Sequence, residues 1–365
     1  MEILLSAYSC EPNKGSEPQV GWDFLIDYLN QNHKVYLITR KNNVSNIKNS
    51  LGQKSKLVII PFDLPKFLIF LKRKIKPFLT VYIFLWEFFT IFKIFKLYGF
   101  KKFDMVHKST MLSYKYLNFT SIFAKDSVIG PIAGAETYPI SFLRNFTLKG
   151  KLIELIRFIF IKLTLYSPLN ILMLSTYKKI HCANYATFES IPSFLKYKCE
   201  VKKAIKVYEK DFMQISKKDD KANKYLNILY VGRVIELKGL AMLLKALIGI
   251  DSNKYCLKIV GEGEDESRLK KISLENNLNV KFEGYVDRNL LSNFYKKCDL
   301  FFFPSLHDSS GYSVLEAKLF GKKVVCTNYG GPKHYVDSND IILRSNNYYD
   351  LIKEIKNLIE KNINK

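Results

Sequence analysis

The chain has 365 residues, 48% of them hydrophobic and 25% charged, which excludes a disordered or collagen-like chain and suits two domains of ordinary size. Its net charge of +23 is uneven, because residues 1–210 hold 32 Lys and Arg against 14 Asp and Glu. Such a basic half either attracts phosphate-rich partners, nucleic acid or anionic lipid among them, or is simply a solvated surface.

Residues 3–7 form the first strand-like run, and a Gly-containing loop at 12–15 follows. Helical spacing covers 20–29, and short apolar runs recur at 35–39, 57–61, 105–107 and 128–130. Apolar strands separated by helices predict a parallel sheet covered on both faces. No basic segment followed by an apolar stretch and a small-residue cleavage site opens the sequence, so no secretory signal is expected. The six cysteines, Cys10, Cys182, Cys199, Cys256, Cys298 and Cys326, show no C-x-x-C spacing. Free thiols in a reducing compartment are the expectation, rather than a zinc site or a disulfide framework.

Residues 78–95 depart from this alternation, with only Thr80, Glu87, Thr90 and Lys93 polar among 18. The length approaches a membrane span. Glu87 and Lys93 lie inside it, however, and both flanks are basic, so no charge asymmetry orients it. Three readings stay open: a core helix, a helix lying in a membrane interface, and a span. A second apolar and basic stretch at 151–174 adds to the interfacial reading.

A polar stretch at 216–224, SKKDDKANK, reads as a linker. Beyond it strands are predicted at 227–232, 256–260, 280–282, 300–303 and 323–327, with helices at 240–247, 266–276, 290–297 and 312–320. The fold class expected is α/β, with one Rossmann-like domain over 1–215, a second over 225–345 and a C-terminal helix over 346–365. Two such sheets predict a cleft between the domains, with ligands outside the carboxyl ends of the strands.

Three segments carry candidate chemistry. In VGRVIELKG, ending at Gly239, a strand gives way to a helix, and Arg233 and Lys238 sit on the connecting loop after Gly232. Two cations beside a helix N-terminus suit a pyrophosphate, and the plain alternative is two solvated surface charges. The GEGE loop at 261–264 again follows a strand; its acids Glu262, Glu264, Asp265 and Glu266 read more simply as a helix N-terminus favoured by the dipole than as a metal cluster. In FPSLHDSSGYSVLE, Asp308 precedes a helix and Glu316 lies in its second turn. The N–H groups of Ser309, Ser310, Gly311 and Tyr312 would then face an anion or sugar hydroxyls. A carboxylate such as Glu316 can accept from two vicinal ribose hydroxyls, although a solvated helix Glu looks the same in sequence.

Taken in order with FEGYV at 282–286, these segments resemble the donor half of glycosyltransferase family 4, retaining enzymes of the GT-B fold, over about 110 residues. The first half is similar more faintly, through SAYSCEPNKGSE at 6–17, FDMVH at 103–107 and GPIAGAE at 130–136, the last resembling a loop of the polysaccharide-assembly type. The resemblance implies that Arg233 and Lys238 neutralise the donor pyrophosphate and that Glu316 holds the ribose. Gly232 and Glu262 join the donor site, with Tyr285 and Val286 near the base and Asp308 by the transferred sugar. Gly15 and Ser16 would approach the phosphates from the first domain, and His107 the sugar or acceptor, unless it is a strand-end histidine that is merely hydrogen-bonded. The sequence departs from the pattern at Asp308, where the family usually has Glu, and at Ser310, where it usually has Phe.

The activity implied is transfer of a sugar from a UDP- or GDP-linked donor to a glycan or lipid-linked acceptor, in capsule, lipopolysaccharide or exopolysaccharide assembly. No Asp-x-Asp motif is present, so no metal or other cofactor is expected. The expected location is cytoplasmic, peripheral on an anionic membrane face, and nucleic acid is not an expected partner. A sugar-nucleotide epimerase, a phosphorylase on the same architecture and a non-enzymatic basic membrane-surface protein remain as alternatives.

Overall fold

The computed structural model describes residues 1–364 apart from 13, 15, 53, 76, 77, 112, 114, 115 and 203–224. The linker expected at 216–224 therefore lies outside the described residues. The chain divides into two compact units, 1–135 with 158–206 and 136–157 with 207–365.

In the first unit, strands β1 (Glu2–Ser6), β2 (Lys34–Thr39), β3 (Leu57–Pro61), β4 (Phe103–Lys108), β5 (Ala124–Ile132), β6 (Lys179–Cys182) and β7 (Cys199–Val201) form one parallel sheet. Its order is β3-β2-β1-β4-β5-β6-β7. Helices α1 (Ser16–Asn30), α2 (Val44–Leu51), α3 (Lys66–Lys74) and α4 (Phe78–Tyr98) belong to this unit. So do α6 (Pro168–Thr176), α7 (Tyr185–Ser190) and the end of α5 (Leu148–Leu165), within which the partition falls. Side chains alternate along the strands. Leu5, Val35 and Leu37 bury against α1 and α2, while Leu4, Tyr36 and Ile38 bury against α4 through Ile94. Both faces are thus dry, which is why the runs read as continuously apolar. The short strands β6 and β7, KIHC and CEV, have no readable alternation and do not figure among the strands expected from the sequence.

The second unit repeats the plan. Strands β8 (Leu226–Val231), β9 (Tyr255–Val260), β10 (Val280–Gly284), β11 (Leu300–Phe303), β12 (Lys323–Thr327) and β13 (Ile341–Leu343) form a parallel sheet ordered β10-β9-β8-β11-β12-β13. Helices α8 (Leu240–Leu247), α9 (Glu266–Glu275), α10 (Arg288–Lys297), α11 (Tyr312–Leu319) and α12 (Tyr348–Ile363) complete it. The C-terminal helix α12 packs on α8 and buries Leu351, Ile355 and Ile359.

The division differs from a single boundary near residue 220, because 136–157 packs with the C-terminal unit rather than with the first. Thr147 donates from its N–H and its hydroxyl to the Glu236 carboxylate, at 2.9 and 3.0 Å. Lys149 pairs with Glu264 at 3.1 Å, and Tyr138 donates to Glu154 at 2.8 Å. The Thr147 and Lys149 contacts join residues 89 and 115 positions apart, beyond the reach of local pattern, while the Tyr138–Glu154 bond closes the segment on itself.

Helix α4 is neither wholly buried nor free. One face puts Tyr82, Ile83, Trp86, Glu87, Thr90 and Ile94 into the unit. Glu87 is fully buried, 2.5 Å from the Lys108 ammonium on β4, and it also accepts from the Asn118 amide at 2.7 Å. This pair decides between the readings of 78–95. A helix tied through its middle to a sheet strand cannot cross a bilayer, so the span is excluded. The stretch at 151–174 resolves into α5 and α6, bent by 56° at Pro168.

Candidate functional site

In the second sheet β8 lies between β9 and β11, so the strand order reverses between β8 and β11, the switch point outside whose carboxyl ends such sheets bind ligands. Lys238 comes from the loop leaving β8 and Asp308 from the loop leaving β11. Their ammonium and carboxylate meet at 2.5 Å, and Lys238 is only 6% exposed. The same ammonium donates to the His307 carbonyl at 3.2 Å and lies 5.4 Å from the Phe303 ring centroid. The loops approach this closely because residue 239 is glycine. It adopts φ +70°, and a Cβ there would stand 2.1 Å from the Pro304 carbonyl.

The other Asp308 oxygen accepts from the N–H groups of Ser310 and Gly311, at 3.1 and 2.6 Å. These are two of the four N–H groups, 309–312, expected to face a ligand; at the start of α11 a side-chain carboxylate of the loop already satisfies them. Burial pushes the Asp308 carboxyl up, but Lys238 and the two N–H groups outweigh it and hold the group below the ordinary aspartate range. Asp308 is therefore ionised at neutral pH, and Lys238 is compensated rather than a free cation.

Arg233 is exposed on the loop leaving β8, with its carbonyl fixed by the Tyr230 hydroxyl at 2.8 Å. Val234 donates to the Glu262 carbonyl at 2.9 Å, and Gly261 approaches so closely that a Cβ would meet the Gly232 carbonyl at 2.0 Å. The Glu262 carboxylate in turn accepts from the Tyr285 N–H at 3.2 Å, and the Tyr285 ring is 72% exposed. Gly232, Arg233, Glu262, Tyr285 and Val286 thus occupy one edge, at the ends of β8, β9 and β10. Of the acidic run, Asp265 is gripped by both arms of Arg268 at 2.5 and 2.7 Å, and Glu266 pairs with Lys270 at 2.6 Å. These acids serve their own loop and helix.

Glu316 is 3% exposed, so it is neither a solvated helix residue nor an open acceptor. One oxygen accepts from the Tyr295 hydroxyl at 2.7 Å, and the other lies 3.3 Å from Arg288 Nε. Arg288 also donates to the Tyr312 hydroxyl at 2.6 Å, with its guanidinium 4.7 Å from that ring centroid. Arg288 and Tyr295 escaped sequence reasoning, although a signal existed. Arg288 opens α10, and a cation in a first helical turn opposes the macrodipole unless another contact holds it there. Tyr295 lies seven residues on, along the same helix face.

His307, between the two loops, bonds the Glu136 carbonyl through Nδ1 at 3.1 Å, with Nε2 3.7 Å from the Glu136 carboxylate. Burial lowers its pKa, and Glu136 opposes that shift. The segment 136–157 also lines a pocket of about 360 Å3 with Glu236, Asp265 and Arg268.

The first-unit candidates fare differently. Gly15 lies outside the described residues, and Ser16 is the first residue of α1. His107 stands at the end of β4 but is 1% exposed, and both ring nitrogens are engaged. Nε2 meets the Gly130 carbonyl at 2.9 Å and therefore carries the proton, so Nδ1 accepts from the Tyr28 hydroxyl at 2.8 Å. Burial drives its pKa down to about 3. Both nitrogens are thus engaged within the first unit, as in the strand-end, hydrogen-bonded reading that the sequence also allowed.

A parallel sheet with its switch point at the strand leading to Arg233 and Lys238 is the decisive setting, and sequence comparison falls on the same place. Residues 211–365 match the family model described as glycosyl transferases group 1. The fold is the GT-B fold. Over 100% of this chain and 91% of the other it superposes, with a TM-score of 0.62 and 14% identity, on the lipopolysaccharide outer core galactosyltransferase WaaB. HepE of Anabaena, solved in complex with UDP and glucose, gives 0.60 at 16% identity over 99% and 90% of the two chains. An uncharacterised glycosyltransferase of Methanocaldococcus jannaschii is 31% identical over 151 residues, which is 39% of this chain. The chain spans 38% of that relative's length. The group 1 match begins ahead of β8 and so takes in Arg233, Lys238, Asp308 and Glu316 together.

Proposed function

We propose that the chain is a nucleotide-sugar-dependent glycosyltransferase that moves a sugar from a UDP- or GDP-linked donor to a hydroxyl of a glycan, with retention of anomeric configuration. The acceptor is lipid-linked or polysaccharide, in cell-surface polysaccharide assembly on the cytoplasmic face of the membrane. The observation that carries this is the placement of Arg233 and Lys238 on the loop leaving β8 at the switch point, within the group 1 match. As the bond from the sugar C1 to the diphosphate breaks, the leaving oxygen takes the electron pair and gains charge. Arg233, exposed, meets that charge directly; Lys238, held in place by Asp308, adds positive potential from beneath. The acceptor oxygen bonds to C1 on the same face and passes its proton to the departing phosphate, so no separate protein base is required.

Asp308 both orients Lys238 and offers its edge to a sugar hydroxyl. Tyr285 presents an open ring to the base. Glu316 reaches the ribose once Arg288 yields one of its contacts. The reading includes no divalent metal, in keeping with the lack of an Asp-x-Asp motif and with the ion pairs of Asp265 and Glu266 to Arg268 and Lys270.

The test is a panel of UDP- and GDP-sugars with a glycan acceptor, followed by nucleoside diphosphate release and the product's anomeric coupling constant. Release that depends on acceptor, survives EDTA and gives the donor's anomer is expected. Conversion of donor to a different sugar nucleotide without acceptor would identify an epimerase instead.

A further inference from the structure

Helix α4 and its neighbour α3 leave one face unpartnered, and its chemistry is consistent along its length. Phe88, Phe89, Phe92 and Phe95 on α4 are exposed, as are Phe67 and Phe70 on α3. The first three touch ring to ring, with centroids 5.5 to 5.8 Å apart. Residues 88, 92 and 95 follow the helical repeat on the side opposite Ile83, Trp86, Glu87 and Thr90, which face the core. Phe92 alone is 56% exposed. A soluble domain gains nothing from holding phenylalanines in water, and patches of this kind mark an interaction surface.

Charge decides what covers it. Positions 66 to 102 hold nine Lys or Arg and one acid, Glu87. That acid is buried on Lys108 and contributes nothing outside. Lys66, Arg73, Lys74 and Lys96 are exposed around the phenylalanines, and Lys93 is half-buried one residue from Phe92. A second copy brought face to face would oppose like charges across an apolar centre, which penalises association. An anionic bilayer surface meets both features at once. Rings enter the acyl boundary while lysine stems lie along the apolar surface and place their ammonium groups at the headgroup phosphates.

We propose that α3 and α4 form an in-plane docking surface for anionic lipid bilayers, with Phe88, Phe89, Phe92 and Phe95 inserted and the surrounding lysines on the headgroups. The surface is independent of the donor chemistry and stands even if the transferase activity fails its own test.

Flotation of the full-length protein with vesicles tests it. Phosphatidylcholine vesicles alone are compared with vesicles in which about a third of the lipid is phosphatidylglycerol. Binding to the anionic vesicles at least tenfold above the neutral ones is expected, weakened but not abolished by salt. The variant F89S/F92S/F95S should lose at least tenfold of that binding, and K93Q/K96Q should lose its preference for anionic lipid. An unchanged circular dichroism melt verifies that both variants remain folded. Equal binding to neutral and anionic vesicles, or wild-type binding by a folded serine variant, would overturn the proposal. So would a concentration-dependent dimer, seen by sedimentation velocity, that the serine variant dissolves.

Discussion

Lys238 and Asp308 depend on each other in a way that two surface charges do not. Removing Asp308 leaves Lys238, 6% exposed, with only the His307 carbonyl and a ring face around its ammonium among the described residues. D308A should therefore destabilise the chain by about 3 kcal/mol in chemical denaturation, and K238M/D308A should recover part of that loss. Because the folded carboxyl titrates below its unfolded value, the pair's contribution is present above the unfolded aspartate range and fades as pH falls toward the lower folded pKa. Activity separates from stability: K238A should lower turnover by about a hundredfold or more, the scale of a lost oxyanion donor. Turnover near wild type in K238A would remove Lys238 from the mechanism. His107 obeys the same linkage. Its ring is held neutral with a pKa near 3, so its contribution is complete above the unfolded value near 6.5 and falls as pH drops below it. Stability measured from pH 7 to pH 5 should decline, and H107Q should flatten that slope. The flattening stays partial, because His181, lowered to about 4 by burial, loses its own contribution over the same window as the unfolded ring takes up its proton.

Helix α4 shows how an element can carry two environments on one sequence. Its composition reads as a span because aromatic and aliphatic residues occupy both faces, and composition does not record which face meets protein. Glu87 was the legible exception: a carboxylate in an apolar run needs a partner, and the partner, Lys108, lies on a strand 21 residues away. Because both groups are buried, E87Q or K108M alone should cost about 3–5 kcal/mol in urea denaturation, while E87L/K108M should cost much less. Equal losses for the single and double variants would show that the pair contributes only through packing. The central strands, such as β1, β2, β8 and β11, were readable because each is buried on two faces, whereas the short β6, β7 and β13 were not. The acceptor-side motif ending at His107 was readable as a strand end, but its role was not. What engages the ring, Tyr28 and Gly130, comes from a helix and a strand that only the sheet order brings beside it.

Across the molecule, what was legible is local and what was not is long-range. The loop after β8, the GEG turn and the Asp308–Glu316 segment stand out in sequence because each follows a strand and opens a helix, and the sheet order sets them along one edge. Three features needed the structure: the assignment of 136–157 to the second unit through Glu236, the closure of Lys238 onto Asp308, and the capture of Glu316 by Arg288 and Tyr295. Each joins residues far apart in sequence or masks a charge that sequence shows as free. The exposed guanidinium of Arg233 is thus the cation most directly available to a diphosphate. Calorimetric titration of UDP and GDP into the wild-type chain and Arg233→Ala tests that assignment most directly. The expected result is saturable binding of one nucleotide, weakened at least tenfold, about 1.4 kcal/mol, in the variant. Failure of both nucleotides to bind, or equal affinity in the two proteins, would contradict a donor site at the end of β8.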